Sequence, residues 1–306
     1  MKQMKHVTAP IRPLIAIGIG LAVASAIALP SAPGLSDLRL AATARAVTTP
    51  AKGAYWHTRT LLRSSLPQRF GRGANRYWVE VRRIEEIWTT TDGKAWVGRR
   101  SLGARPKSAA DENAWRRDGS PSRLSRPAGD GPVTLDTKAD KGQVIPPRGS
   151  NPFELAEQQL SYEEVQKLPA DPSGLKAWLT KAVRVARAPE DAVDNNVALA
   201  LLTLLRDLPA PKEVRAAAYQ ALLTMPDVRS QGTAKDALGR AGAKLSIFHD
   251  RARQKVKTEV IVNTDEMVLL AERLTTELNG KPFADFTSTM LQVGWTDAAP
   301  SVPALP

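Results

Sequence analysis

The sequence predicts an α+β chain: a curved antiparallel sheet packed on about three helices and preceded by one N-terminal hydrophobic helix. Three observations carry that prediction. Segments rich in Trp, Tyr, Val, Ile and Thr lie on both sides of the chain's middle, the middle itself repeats apolar residues at helical spacing, and a 16-residue apolar run, Leu14 to Leu29, follows a basic start.

Lys2, Lys5, His6 and Arg12 precede that run, and Pro30, Ser31, Ala32 and Pro33 follow it. This order is that of a targeting or anchoring element. The run is shorter than the ~20 residues that span a bilayer and longer than the ~7–15 of a common signal-peptide core. Residues 1–33 therefore read either as a signal peptide, cut near an alanine pair such as Ala26/Ala28, or as a membrane anchor. Both fates hold the basic end inside and place the rest outside the cytoplasm, as a single-pass membrane protein or a secreted one. Residues 34–54, small and rich in Ala and Thr, read as a tether, and 55–306 as one extracytoplasmic domain. The absence of cysteine excludes disulfide staples and thioether lipidation.

The first strands are expected in "YWHTRTLL", "RYWVEVRRIEEIWTTT" and "KAWVGRR". Trp78, Val81, Ile84 and Trp88 also fit a helical repeat, but β-branched and aromatic enrichment and the Asp92-Gly93 hairpin signal favour strands. Alternation then puts Trp78, Ile84 and Trp88 on one side and Tyr77, Val79, Val81 and Ile87 on the other. A sheet apolar on both sides is covered on both, or lines a groove. From Gly103 to Ser150, Pro, Gly, Ser and charged residues dominate, which reads as a long loop with one edge strand near Val133 to Leu135. Loops of this length are commonly functional, and this one is placed to cover a groove mouth or is an insertion.

Three helices follow. Asp171 caps the first, with Pro172 in its opening turn and Leu175, Trp178, Leu179, Ala182, Val183 and Ala186 in one stripe, over 172–187. The second, 194–208, is apolar nearly all round. The third, 211–225, begins at Pro211, turns Val214, Ala218, Ala221, Leu222 and Met225 inward, and stops at Pro226. After Val228, "AKLSIF", "EVIVN", "MVLLAERL" and "STMLQVGW" read as four strands of a meander.

The net charge is +12, and the stretch from Tyr55 to Arg126 holds 16 Lys/Arg against 7 Asp/Glu, so nine of those charges are local. No nucleic-acid-binding motif accompanies them. Outside the cytoplasm such a field meets an anionic membrane surface or wall polymer, or else is simply a solvated face. Chemistry is equally sparse. His57 and His249 stand alone, no G-x-S-x-G turn offers a nucleophile, and Glu85 and Glu86 point to opposite faces, where ion pairs with Arg82 and Arg83 are expected. "GRAG", Gly239 to Gly242, lacks the ending of a phosphate loop and reads as a tight turn. The expectation is a non-enzymatic protein with no metal and no cofactor.

Several segments carry a resemblance: "LPADPSGLKAWL", the helical run through "VALALLTLLRDLPAPKEVRAAAYQALLTMPDV", "DALGRAGAKLSI" and "EVIVNTDEMVLLAERL". Together they resemble a family of membrane-anchored actinobacterial proteins often encoded beside extracytoplasmic-function sigma factors. Asp236, Gly239, Arg240 and Gly242 match its D-x-x-G-R-x-G turn, whereas Asn263, Thr264, Asp265 and Glu266 depart from its next turn. The order of elements is also similar to the half-barrels of LolA/LppX-type lipoprotein carriers and RseB/MucB-type regulators. That likeness implies a sheet holding a lipid or lipoprotein acyl chain, or another apolar ligand, in its concavity. Its alternative is a regulatory module acting on a membrane anti-sigma factor or envelope sensor. On the lipid reading Trp78, Trp88 and Trp96 line the concave side and Arg82, Arg99 and Arg100 contact the headgroup.

Overall fold

The computed structural model describes residues 52–65, 68–126, 132–147, 149, 153–251 and 254–306. The expected hydrophobic helix and nearly all of the tether lie outside them. Among the described residues, no helix is long and apolar enough to cross a membrane.

Alternating, β-branched segments build one nine-stranded antiparallel sheet. Its strands are β1 (Tyr55–Ser65), β2 (Val79–Thr89), β3 (Ala95–Pro106), β6 (Gln143–Ile145), β9 (Val228–Lys235), β10 (Ala241–Arg251), β11 (Gln254–Asn263), β12 (Val268–Leu278) and β13 (Lys281–Thr296). The spatial order is β6-β3-β2-β1-β13-β12-β11-β10-β9. Sequential hairpins account for every neighbour except two: β1 lies against the last strand, with Tyr55 opposite Thr296, and β6 returns to the edge beside β3. Two small hairpins, β4 (Arg123–Arg126) with β5 (Val133–Asp136) and β7 (Glu154–Leu155) with β8 (Gln158–Gln159), lie outside the sheet.

The helices are α1 (Ala109–Arg117), α2 (Tyr162–Gln166), α3 (Pro172–Val185), α4 (Val193–Arg206) and α5 (Lys212–Leu223). Asp171 caps α3 by accepting the Gly174 N–H at 2.7 Å, as its place before Pro172 predicts. The apolar stripes of α3 to α5 meet one side of the sheet, here the helix face. Leu179, Leu201, Leu204, Ala218 and Leu222 are buried there with Leu245, Ile247, Val260, Val262 and Leu269. Each buried aliphatic side chain stabilises by about 1.5–3 kcal/mol, so this layer dominates the fold's cohesion. Trp56 and Trp295 stitch it to β1 and β13. Their rings meet edge to face at 5.7 Å, and Trp56 Nε1 donates to the Asp207 carbonyl just past α4.

The sheet bends at five register shifts: Leu102 in β3, Leu270 in β12 and both Phe283 and Leu291 in β13 are extra residues, and β9 carries one more residue than β10 between Ser230 and Thr233. On the face opposite the helices, Leu61, Ile84 and Leu102 pack with Leu291 and with Leu238, which comes from the β9–β10 turn. The outermost hairpin thus folds over the middle of its own sheet. Asp236 and Arg240 hold it there. The Asp236 carboxylate accepts the backbone N–H groups of Leu238 and Arg240, each at 2.9 Å, and Arg240 Nε at 2.7 Å. Arg240 Nη2 then donates to the carbonyls of Met290 at 2.7 Å and Leu270 at 3.2 Å, beside two of the bulges. The D-x-x-G-R spacing is thereby explained: Gly239, at φ 80, makes the turn that brings the arginine back to its own carboxylate.

Three expectations are corrected. Tyr77 forms only an isolated bridge with Phe70, and β2 begins at Val79, so Trp78 precedes the strand and does not share a sheet face with Trp88. The segment 103–150 is not a plain loop: it finishes β3 and contains α1, β4, β5 and β6, of which β5 matches the expected edge strand. Five strands, not four, follow Val228, the extra one being the solvent-facing β9.

Candidate functional site

Register assigns the predicted site residues to two faces. Along β2, Arg82, Ile84, Glu86 and Trp88 look away from the helices, whereas Val81, Arg83, Glu85 and Ile87 share the helix face. Trp88 is 2% exposed. It stacks on His57 at 4.8 Å and 17° and is roofed by the chain's C-terminal tail, where Pro303 packs against it over Gly98. The tail is tied down by Arg100 Nη1, donating to the Pro303 carbonyl at 2.8 Å, and by Arg59 Nη2, donating to that of Ala304 at 2.9 Å. Trp88 is therefore packed core. Trp96 is half-buried, edge-on to Tyr55 at 5.7 Å, and Trp78 lies under the Arg69 guanidinium at 5.3 Å. Trp88 and Trp96 are direct cross-strand partners on the face away from the helices, whereas Trp78, which precedes β2, is not part of that pair.

The carboxylates between them also have other partners than expected. Glu86 is buried and accepts from His57 Nε2 at 2.9 Å, with Arg59 Nε at 3.5 Å. Glu85 pairs with Arg99 Nε at 2.8 Å. Neither pair involves Arg82 or Arg83. The His57–Glu86 pair lies beneath Trp88 and the tail, where it joins β1 to β2. Among the described residues, no group of three or more His, Asp or Glu could hold a metal ion.

The surface of the described residues includes two hollows. One, about 750 Å³, is an open trough along α3 between Ser173 and Val185. The other, about 480 Å³, lies on β2 and β3 where β6 ends. Its wall combines Val81, Arg83, Arg99, Arg100 and Ser101 with the turn Asp140–Gln143, so the former "loop" does border a groove. Neither hollow has an indole in its wall. The second is lined by Arg99 and Arg100, two of the arginines named from the sequence, together with Arg83 and Lys141. Arg82, one residue away from Arg83, is buried on the opposite face.

The electrostatics of this cleft follow from how each charge is held. Arg100 donates Nε to the Asp140 carbonyl at 3.1 Å and Nη1 to Pro303, both neutral acceptors. Asp140 spends one carboxylate oxygen on the N–H groups of Ser101 at 3.0 Å and Gly142 at 2.9 Å, which shapes the turn. Arg83 finds no hydrogen-bond or ion-pair partner among the described residues, and its Nε is buried without an acceptor. Among the described residues lining the cleft, Arg83, Arg99, Arg100 and Lys141 stand with one carboxylate, Asp140, while Arg99 also pairs with Glu85 and Arg100 reaches the tail. Ahead of β2, Tyr77 is packed with Phe70 and Val79, and burial, then the charge and hydrogen bond of Asp118, push its phenol up to about 12. Two carboxylates, on β11 and β13, each hold two cations: Lys244 and Lys257 meet Glu259, and Lys107 and Arg273 meet Asp285. Burial raises the Asp285 and Glu259 carboxyls, but these hydrogen-bonded cations bring both below their ordinary range.

Neither family models nor curated proteins give a match to this chain. Among solved structures it is similar to lipovitellin, solved for its lipid–protein interactions, at 9% identity and a TM-score of 0.21. The match covers 83% of this chain and 26% of that one. The chain thus spans about a quarter of lipovitellin, and a likeness of this size carries no argument.

Proposed function

We propose that the chain is a non-enzymatic cell-envelope protein, a half-barrel of the LolA/LppX kind, that binds an anionic lipid surface through the β1–β3 half of its sheet. One observation supports this reading above the others. In that half several guanidinium groups are held by aromatic rings and neutral carbonyls, with Arg69 over Trp78, Arg126 over Phe70, and Arg100 on the carbonyls of Asp140 and Pro303. Anchors of that kind fix a cation without cancelling its charge. Each such cation near an anionic bilayer contributes about 1 kcal/mol of attraction, which fades within a Debye length. The packed state of Trp88 favours headgroup contact over burial of an acyl chain beside it. The N-terminal apolar run, as anchor or cleaved signal, suits the same compartment.

The test uses the full chain in nanodiscs of phosphatidylcholine alone and of phosphatidylcholine with phosphatidylglycerol. Amide hydrogen exchange across β1 to β3 and α1 is expected to slow on the anionic discs only, and to recover in high salt. Equal exchange on both discs refutes the reading. Protection that instead appears only with an added membrane protein partner would point to the regulatory-module alternative.

A further inference from the structure

We infer that the cleft of about 480 Å³ on β2 and β3 is a discrete site for a phosphate ester, with Arg83 as its anchor. The inference rests on the surface-binding reading for where the ester would reside, and on the cleft's own geometry for what it is. Arginine carries its donors in a planar fork that matches two oxygens of a phosphate. Arg83 has that fork free of any described partner and one donor already out of water, which is the state of a group awaiting an acceptor. Arg99 and Lys141 stand in the same wall, and Arg100 is locked in place by two carbonyls.

The charge sign excludes a cation, and the chemistry of the wall narrows the anion. Among the described residues, Val81 is the one apolar side chain lining the cleft, so a long acyl chain finds little cover there, whereas a headgroup-sized polar ester fits a volume near the lower end of ordinary ligand sites. No aromatic ring lines it to stack a nucleobase. A singly charged carboxylate would leave part of the cationic surplus unmet; a phosphate answers it with more charge and more acceptor oxygens. The same chemistry occurs in a lipid headgroup and in a soluble ester, and the experiment separates these sources.

The full chain, held in a neutral detergent, is titrated calorimetrically with glycerol 3-phosphate, with sodium acetate as the carboxylate control. Saturable binding to the phosphate ester, at least about tenfold tighter than to acetate, is expected, and Arg83→Met should weaken it about tenfold or more. Arg83→Lys keeps the charge but loses the fork, so it should recover only part of that loss. Thermal unfolding of each variant shows that it is folded. No saturable binding of the ester, or equal binding by Arg83→Met, overturns the site. If the ester fails while wild type and Arg83→Met respond alike to anionic nanodiscs, the surface reading survives and the site is refuted. If the ester binds while anionic nanodiscs give no protection, the site is for a soluble ester and the surface reading is refuted.

Discussion

Replacing Asp236 by alanine tests whether the β9–β10 turn clips the curled sheet shut. The carboxylate's side chain is fully enclosed and takes two backbone N–H groups and the Arg240 guanidinium. Hydrogen bonds to a charged acceptor contribute about 1.5–3 kcal/mol each, and removing one partner of a buried ion pair costs about 3–5 kcal/mol. Arg240 is about a third exposed and keeps its two carbonyl acceptors, so the lower figure applies. Asp236→Ala should therefore cost about 3 kcal/mol, or roughly 6–12 °C in melting temperature for a chain of this size. Urea unfolding followed by tryptophan fluorescence measures it, and a cycle with Arg240→Ala should return a coupling of at least about 1 kcal/mol. A loss below about 1 kcal/mol, or additive single variants, would mean that Leu238 reaches the sheet's middle by packing alone.

Gly98→Val puts a branched side chain where a Cβ would already lie 2.9 Å from the Trp88 ring and 3.0 Å from Pro303. The tail should lift, limited proteolysis within residues 302–305 should quicken about tenfold, and global stability should fall by about 1–3 kcal/mol; unchanged cleavage would show that the strap yields without detaching. Tyr77, raised to about 12, keeps its proton in the folded chain after the unfolded chain loses it. The stability it contributes is thus complete below about pH 10 and declines as pH rises to about 12. Alkaline difference absorbance should find one tyrosine ionising near 12, and Asp118→Asn should bring it lower.

The elements most legible in the sequence are those whose local signals agree. Asp171 and Pro172 start α3, Pro211 starts the third helix of the layer, and Asp92-Gly93 makes the β2–β3 hairpin, with Gly93 at φ 89. Strand β9 escaped because "VRSQGTAK" buries little beyond Val228, so an edge strand that faces water leaves no alternation to read. Helix α1 hid among Pro, Gly and Ser, although Ser108 accepting the Asp111 N–H and the arginines of its last turn are readable cap signals. In the cleft, Arg99 and Arg100 were legible from local charge. Arg83 was missed for its neighbour because choosing between adjacent residues needs the burial of each face. The fate of Trp88 was illegible for a different reason: its roof, Pro303, is more than two hundred positions away, and no local pattern encodes that contact.

The pairing of β1 with β13 sets the order in which the molecule can be completed. An emerging chain makes β1 early but gains its β13 mate only when Asp285 to Thr296 appear, so the sheet's central seam is the last to close. Until then one long edge of β1 is open to any passing strand, and contacts of such wide separation form slowly. A chain delivered across a membrane end first would need a holding chaperone on the far side for that interval, and truncations that spare every helix but remove β13 should aggregate, not fold.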